Sequence, residues 1–213
     1  MKTKTIVFDL DDTLIKEIEY LKSAFREIAV FLDPKNETLF EEMYQWYVLK
    51  EDVFQNLVNC YKNADKQSLK SMYRNHIPNF NPNSDARQIL IDLKKQGFIL
   101  GLITDGYSIT QRNKIKALLL EDIFDLIIIS EEFTSEKPNQ KNYEVFHQFN
   151  TEEYYYIADN VSKDFVTPNQ MGWITICLLD DGNNIHRQSF DKESIYLPTI
   201  KIKELSEITL NIQ

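Results

Sequence analysis

Short apolar, β-rich segments alternate with helical patterns through the second half of the chain, and this alternation restricts the possible folds more than any other feature. Helices are predicted at 86–95, 108–120, 140–149 and 163–171. The strands that alternate with them are predicted at 98–103, 126–129, 154–158 and 173–178. Strands without polar positions are typical of a parallel sheet that is covered by helices on both faces. The sequence therefore predicts an α/β fold with a Rossmann-like parallel sheet core.

A further strand is predicted at 5–8, and the stretch that follows it has a different pattern. From about residue 17 to residue 77, apolar side chains recur at three- and four-residue spacing, as in Leu21, Phe25 and Ile28. No strand pattern interrupts this stretch, so we predict a small all-α helical cap domain inserted after the first strand. Aromatic side chains at helical spacing are expected to form the core of this bundle; they are Tyr20, Phe25, Tyr44, Trp46, Tyr47 and Phe54.

A linker is predicted at 77–85, where two prolines and three asparagines occur within nine residues. The predicted division is an α/β core of residues 1–15 and 83–213 and a helical cap of residues 16–82. We expect any cap movement to occur about 15–17 and 77–85. The C-terminal run 202–210 predicts a short helix.

The composition excludes several classes of partner. A net charge of −9 argues against nucleic acid, which requires a basic surface. No apolar stretch approaches the length of a membrane span, and the apolar run at the N-terminus is too short for a signal peptide, so a cytoplasmic protein is expected. Cys60 and Cys177 form no CxxC pair, so neither a disulfide framework nor a zinc site is expected. The oligomeric state is not indicated.

Polar side chains that can take part in catalysis or ligand binding follow the predicted strands. The carboxyl ends of parallel strands meet at one edge of a sheet, where such folds bind ligands. Carboxylates, a hydroxyl group and one lysine in such a place suit Mg²⁺ and phosphate. The residues concerned are Asp9, Asp11, Thr13, Thr104, Asp105, Lys137, Asp159, Asn160 and Asp164.

The spacing of these residues has a chemical reason. Asp9 and Asp11 are two positions apart at a strand end and can face one substrate, so that one carboxylate attacks phosphorus and the other transfers a proton. A divalent cation would relieve the repulsion between carboxylate and phosphate, and Asp159 would help to hold it. Thr104 and Lys137 can bind the remaining phosphoryl oxygens.

The ordered motifs DLDDT, LITDG, SEKPN and YIADN resemble those of the haloacid dehalogenase (HAD) superfamily of hydrolases. The resemblance spans roughly residues 4–14 and 84–180, and the helical insert corresponds to the cap of one branch. It implies that Asp9 is the nucleophile, which becomes an aspartyl-phosphate, and that Asp11 is the general acid and base. Mg²⁺ would be held by Asp9, Asp159 and the backbone carbonyl of Asp11.

The resemblance also assigns the supporting positions. Thr104, Asp105 and Lys137 form the predicted phosphate-binding set, and Lys137 is preferred over Lys141 because a proline follows it. Many relatives have Asn where this chain has Asp105, and an added acid would repel phosphate. Asp105 is therefore expected either to point away from the phosphate or to contact the residues that bind it. Asp164 would orient the metal or the lysine, and Thr13 and Asn160 are expected to support the site without touching substrate.

The expected function is Mg²⁺-dependent hydrolysis of a small phosphomonoester, either a nucleoside monophosphate or a sugar phosphate. A phosphomutase of the sugar-phosphate type is the main alternative. A haloacid dehalogenase is disfavoured because halide needs no protonation and Asp11 is present, and a non-catalytic phosphate-binding protein is disfavoured because every chemical role is filled. Gln111 and Arg112 could reach a substrate, although a solvated helix face is the favoured interpretation for both.

Overall fold

A six-stranded parallel sheet forms the centre of the protein in this computed structural model, which describes residues 4–81 and 84–208. The strand order is β3-β2-β1-β4-β5-β6, and every neighbouring pair is parallel. This architecture confirms the predicted Rossmann-like α/β core. The strands are β1 (Lys4–Phe8), β2 (Ile99–Thr104), β3 (Leu126–Ile129), β4 (Glu153–Ala158), β5 (Ile174–Leu178) and β6 (Ile200–Ile202).

Nine α-helices occur in the described ranges, and the first four follow β1 without an intervening strand. These four helices enclose an apolar cluster of their own, which includes Leu21, Phe25, Met43 and Leu57. Of the six aromatic residues expected in the bundle, five belong to or pack beside this cluster, and Tyr20 is buried outside it. The helices are α1 (Glu17–Leu32), α2 (Leu39–Val48), α3 (Val53–Cys60), α4 (Lys66–Asn75), α5 (Asp85–Lys95), α6 (Ser108–Ala117), α7 (Ser130–Phe133), α8 (Lys141–Glu144) and α9 (Val166–Gln170).

The sheet is buried on both faces because alternate side chains of its central strand enter different apolar layers. Ile6 and Phe8 of β1 join one cluster, whereas Val7 joins the other. In β2, Gly101 lies against the ring of Phe146, and a Cβ atom there would come within 2.1 Å of Phe146 Cε1. Glycine at this position lets the aromatic layer approach the strand closely.

Some predicted elements differ from the observed ones. The terminal helix expected at 202–210 does not begin at Ile202, which ends β6; a 3₁₀ helix spans Leu205–Glu207 and Ile208 is helical, and residues 209 and 210 lie outside the described residues. The helix expected at 163–171 starts only at Val166, because the backbone N–H of Asn160 donates to Asp164 Oδ2 at 3.0 Å and holds the preceding residues in a turn.

Candidate active site

The sheet places the candidate site between β1 and β4, where the order of the strands reverses. Chain order runs outward from β1 in both directions, and open α/β sheets bind ligands in the crevice at such a switch point. Asp9 directly follows β1, and Asp159 directly follows β4. A cavity of about 120 Å³ opens there, and its walls include Asp9, Asp11, Thr104, Asp105, Lys137 and Asp159.

Lys137 is held between two of the acids. Its Nζ lies 2.8 Å from Asp9 Oδ1 and 2.9 Å from Asp164 Oδ1, and all three side chains are buried. Burial alone would lower the pKa of Lys137, but Asp164 and Asp9 outweigh it and raise this pKa above its ordinary value. The lysine therefore carries a fixed positive charge beside Asp9, where it can meet an anion.

Three carboxylates crowd this end of the sheet. Oxygens of Asp9, Asp159 and Asp164 lie within 4.8 Å of one another. Burial, and then the neighbouring charge of Asp9, raise the pKa of Asp159 to about 8; burial raises that of Asp9 to about 7, with Lys137 opposing the rise and Asp164 adding to it. One ammonium group faces three carboxylates, so the set has an excess of negative charge and offers the hard oxygen ligands that suit Mg²⁺.

Asp164 and Asp159 differ in how far protein groups already engage them. Asp164 Oδ1 forms an ion pair with Lys137 Nζ at 2.9 Å, and Asp164 Oδ2 accepts from the backbone N–H of Asn160, so both of its oxygens are engaged. Asp159 Oδ2 accepts from the side-chain amide of Asn184 at 2.9 Å. Asp159 and Asp9 are therefore the carboxylates best placed to hold a cation, and Asp164 fixes the lysine.

Asp11 points to another wall of the site, where two residues of α6 hold it. Lys114 Nζ lies 2.6 Å from Asp11 Oδ1, and the amide of Gln111 donates to Asp11 Oδ2 at 2.9 Å. Both residues are buried, and the ammonium of Lys114 also lies 4.7 Å from the centre of the Tyr20 ring. Asp11 is thus oriented toward the cavity by contacts separate from those of Asp9.

Thr104 and Asp105 have different surroundings. The Thr104 hydroxyl accepts from Gln111, which leaves its own hydrogen to donate into the cavity. Asp105 accepts from the backbone N–H of Lys137 at 3.1 Å and pairs with Lys163 Nζ at 2.7 Å. The Asp105 carboxylate therefore positions the Lys137 backbone, and Lys163 offsets its charge.

The remaining residues of the first motif shape the entry to α1. Asp12 adopts a left-handed conformation with φ of 53°. Its carboxylate accepts from the backbone N–H groups of Glu17 at 3.0 Å and Ile185 at 2.9 Å, which ties the start of α1 to the loop after β5. The hydroxyl of Thr13 is buried and makes no hydrogen bond to a described residue. Asn160 lines the cavity and contacts Asp164 through its backbone.

Sequence reasoning missed several groups of the site. Lys114, Lys163 and Asn184 were not expected there, and the solvated position favoured for Gln111 is wrong, since its side chain is buried. Gln111 and Lys114 are three residues apart on one helix, and this spacing is a signal of a shared face. Arg112 is on the other side of α6 and pairs with Glu132 at 2.6 Å, as the solvated interpretation expects. Lys141, the rival of Lys137, is exposed.

A second cavity of about 300 Å³ adjoins the first between α1, α4 and α6. Asp11, Glu17 and Asp105 line both cavities. Burial, and then the charge of Asp11, raise the pKa of Glu17 to about 7. The shared wall places Asp11 between a space for the reacting group and a larger space beyond it.

The chain matches the family model described as haloacid dehalogenase-like hydrolase over residues 6–177. It belongs to this family, and it is therefore a hydrolase of the haloacid dehalogenase type. The fold and the ordered motifs thus confirm the resemblance drawn from the sequence. Within the described ranges, the structure has no helix with the length and apolar character of a membrane span.

Named relatives of known sequence and structure extend this family assignment. A glyceraldehyde 3-phosphate phosphatase of Methanocaldococcus jannaschii is 28% identical over 230 residues, covering 99% of this chain and 98% of the relative. The pyrophosphatase PpaX of Halalkalibacterium halodurans is 27% identical over 147 residues, covering 65% of each chain. The crystal structure of the HAD-hydrolase YfnB of Bacillus subtilis bound to magnesium has the same fold, with a TM-score of 0.65, 19% identity and full coverage of both chains.

Proposed function

We propose that this protein is a Mg²⁺-dependent phosphatase that hydrolyses a small phosphomonoester through a phosphorylated Asp9. The observation that carries this proposal is the convergence of Asp9, Asp159 and the buried Lys137 at one end of the sheet, with Asp11 oriented separately on an adjoining wall. This set contains a nucleophile, a proton donor, cation ligands and a phosphate-binding charge. The names of the phosphatase relatives support the same class of reaction.

The chain's own residues account for both halves of the reaction. Lys137 and the Thr104 hydroxyl bind phosphoryl oxygens, and a carboxylate oxygen of Asp9 attacks phosphorus. As the bond from phosphorus to the leaving oxygen breaks, Asp11 gives its proton to that oxygen. Asp11 then takes a proton from the water that attacks the aspartyl-phosphate, so that inorganic phosphate leaves and Asp9 is restored.

Mg²⁺ fits the donor set of this site. Asp9 and Asp159 would hold it, together with the backbone carbonyl of Asp11, while Asp164 stays with Lys137. When bound, the ion offsets the repulsion between the attacking carboxylate and the phosphate. The magnesium-bound structure of the YfnB hydrolase, which shares the fold, supports this choice of metal.

The relatives favour a small sugar phosphate over a nucleoside monophosphate. Five of them, from archaea, carry the name glyceraldehyde 3-phosphate phosphatase. We further propose that residues 16–82 act as a cap on the core of 1–15 and 83–213, because α1 and α4 supply walls of the second cavity. Structures with and without a phosphate mimic test this movement, and an unchanged cap angle with a sealed site would contradict it.

The proposal is tested by measuring phosphate release from a panel of phosphomonoesters with Mg²⁺. The panel should include glyceraldehyde 3-phosphate, hexose phosphates and nucleoside monophosphates, each also measured after chelation of the metal. Asp9→Asn keeps the size of the side chain and removes the nucleophile, so release should fall to background; Arg112→Gln, on the exposed side of α6, is the control and should retain activity. Undiminished release by Asp9→Asn, or isomerised ester without free phosphate, would contradict the proposal.

A further inference from the structure

The second cavity lies where the leaving group of a phosphomonoester must extend. Asp11 can protonate the leaving oxygen only from close range, so this oxygen must lie beside Asp11. Asp11 stands on the wall that the two cavities share. With the phosphoryl group beside Asp9 and Lys137, the rest of the substrate enters the larger cavity between α4 and α6.

Two cations of α4 line this larger cavity, and one of them, Lys70, helps to lower the pKa of Asp52, which is not a wall residue. Lys70 and Arg74 are both half-buried, and neither forms an ion pair with a carboxylate in the described part of the chain. They are four residues apart and therefore lie on one face of the helix. One hydrogen bond of the Arg74 side chain, from Nη2 to the Tyr107 hydroxyl at 2.8 Å, fixes its position.

The aromatic rings of this cavity are already covered. The Arg74 guanidinium lies 3.9 Å from the centre of the Tyr107 ring, and Lys114 lies over the ring of Tyr20. Phe54 and Tyr73 pack edge to face with ring centres 6.0 Å apart. These contacts occupy ring surface that a nucleobase would need to stack on.

The acids of the cavity wall do not cancel the two cations. Asp11 is paired with Lys114 at 2.6 Å, and Asp105 is paired with Lys163 at 2.7 Å. Glu17 is the third acid, and burial raises its pKa to about 7. Lys70 and Arg74 are therefore the cations of the cavity wall that none of the wall carboxylates holds in an ion pair.

We propose that Arg74 and Lys70 bind a second anionic group, a carboxylate or a phosphate, on the leaving alcohol of the substrate. This inference rests on the proposed phosphatase function and, among small phosphomonoesters, favours those with a second anionic group over the uncharged sugar phosphates that the names of the relatives suggest. Phosphorylated sugar acids and diphosphates are then preferred over uncharged sugar phosphates and over nucleoside monophosphates. Arg74 supplies a planar fork for an oxyanion, and Lys70 supplies a point charge one turn earlier on the helix.

The test compares two substrates that differ in a single group. In 3-phosphoglycerate a carboxylate replaces the hydroxymethyl group of glycerol 3-phosphate, so the ratio of their kcat/KM values reports the second anion site. We expect this ratio to exceed about ten in the wild type, and Arg74→Gln to lower it about tenfold, mainly through KM, since a charge-assisted hydrogen bond contributes on this order. Arg74→Lys should recover part of the ratio.

Lys66 provides a matched control on the same helix. It pairs with Asp52 at 2.6 Å and lies outside the cavity walls, so Lys66→Gln should leave the ratio at its wild-type value, whereas Lys70→Gln should lower it. Glycerol 1,3-bisphosphate serves as a third substrate, and a larger kcat/KM for it than for 3-phosphoglycerate assigns the second anion as phosphate. A wild-type ratio near one, or an equal fall of kcat/KM for both substrates in Arg74→Gln, would overturn the inference but not the proposed phosphatase function. The absence of phosphate release from every ester would overturn both.

Discussion

Removal of Mg²⁺ is expected to make the stability of this protein depend strongly on pH. Asp159 is buried beside Asp9 and Asp164, and its pKa is raised to about 8 from an ordinary value of 3.8. A raised pKa means that the folded chain holds a proton that the unfolded chain has lost. The free energy of unfolding should therefore be highest at the acid end of this interval and fall as the pH rises toward 8.

The magnitude follows from the size of the shift. Each pH unit between the unfolded and the folded pKa changes the free energy of unfolding by about 1.4 kcal/mol, so the fall from pH 5 to pH 8 is on the order of 4 kcal/mol for one proton. The pKa of Asp9 is raised in the same direction, and this figure counts the proton of Asp159 alone. A bound cation replaces the proton, so Mg²⁺ should stabilise most at high pH.

Urea denaturation at pH 5, 6, 7 and 8, with chelator and with saturating Mg²⁺, measures this effect. We expect the two curves to meet near pH 5 and to diverge toward pH 8. Glu17 and Asp12 also have raised pKa values, so Asp159→Asn is the control that isolates the site. It should remove most of the Mg²⁺ response. An unfolding free energy that is equal with and without Mg²⁺ at pH 8, or an undiminished response in Asp159→Asn, would refute this reasoning.

Three further substitutions have defined outcomes. Lys114→Met leaves Asp11 without its cation. Breaking a fully buried ion pair lowers the free energy of unfolding by about 3 to 5 kcal/mol. Because Asp11 is 19% exposed, a decrease of about 2 kcal/mol is expected in urea denaturation. Gly101→Ala places a methyl group against Phe146, and a loss on the order of 1 to 3 kcal/mol should lower Tm; an unchanged Tm would show that the two layers can separate. Asp11→Asn should lower kcat about a hundredfold for alkyl phosphates and less for p-nitrophenyl phosphate, whose leaving group needs little protonation; equal losses would argue against proton transfer by Asp11.

The catalytic end of the sheet could be predicted because chain order and parallel pairing determine it. The acid motifs come directly after β1 and β4, and parallel strands bring their carboxyl ends to one edge. The alternation of strands and helices does not specify which strands are neighbours, so the pairing of β1 with both β2 and β4 is known only from the structure. Asp9, Lys137 and Asp159 therefore lie where the motifs predict, although their roles in catalysis stay predictions.

The environment of Asp11 could not be predicted, because it depends on contacts between distant parts of the chain. Lys114 is 103 residues from its partner, and a lysine on a mostly polar helix is ordinarily solvated. In the folded chain Lys114 is buried, with its ammonium over the ring of Tyr20. Strand β6 could not be predicted either, because a strand of three residues is specified by its pairing with β5 and has no distinct sequence pattern of its own.

The proposed mechanism requires Asp9 to be the nucleophile, and rapid-quench mass spectrometry tests that role. The wild-type protein is mixed with an excess of a turned-over ester and Mg²⁺, quenched in acid within one turnover, and digested. The peptide that contains Asp9 should gain the mass of one phosphoryl group, and this gain should be absent in Asp9→Asn. Phosphate release without any phosphorylated intermediate, or a phosphoryl group found on another residue, would contradict the assignment of Asp9.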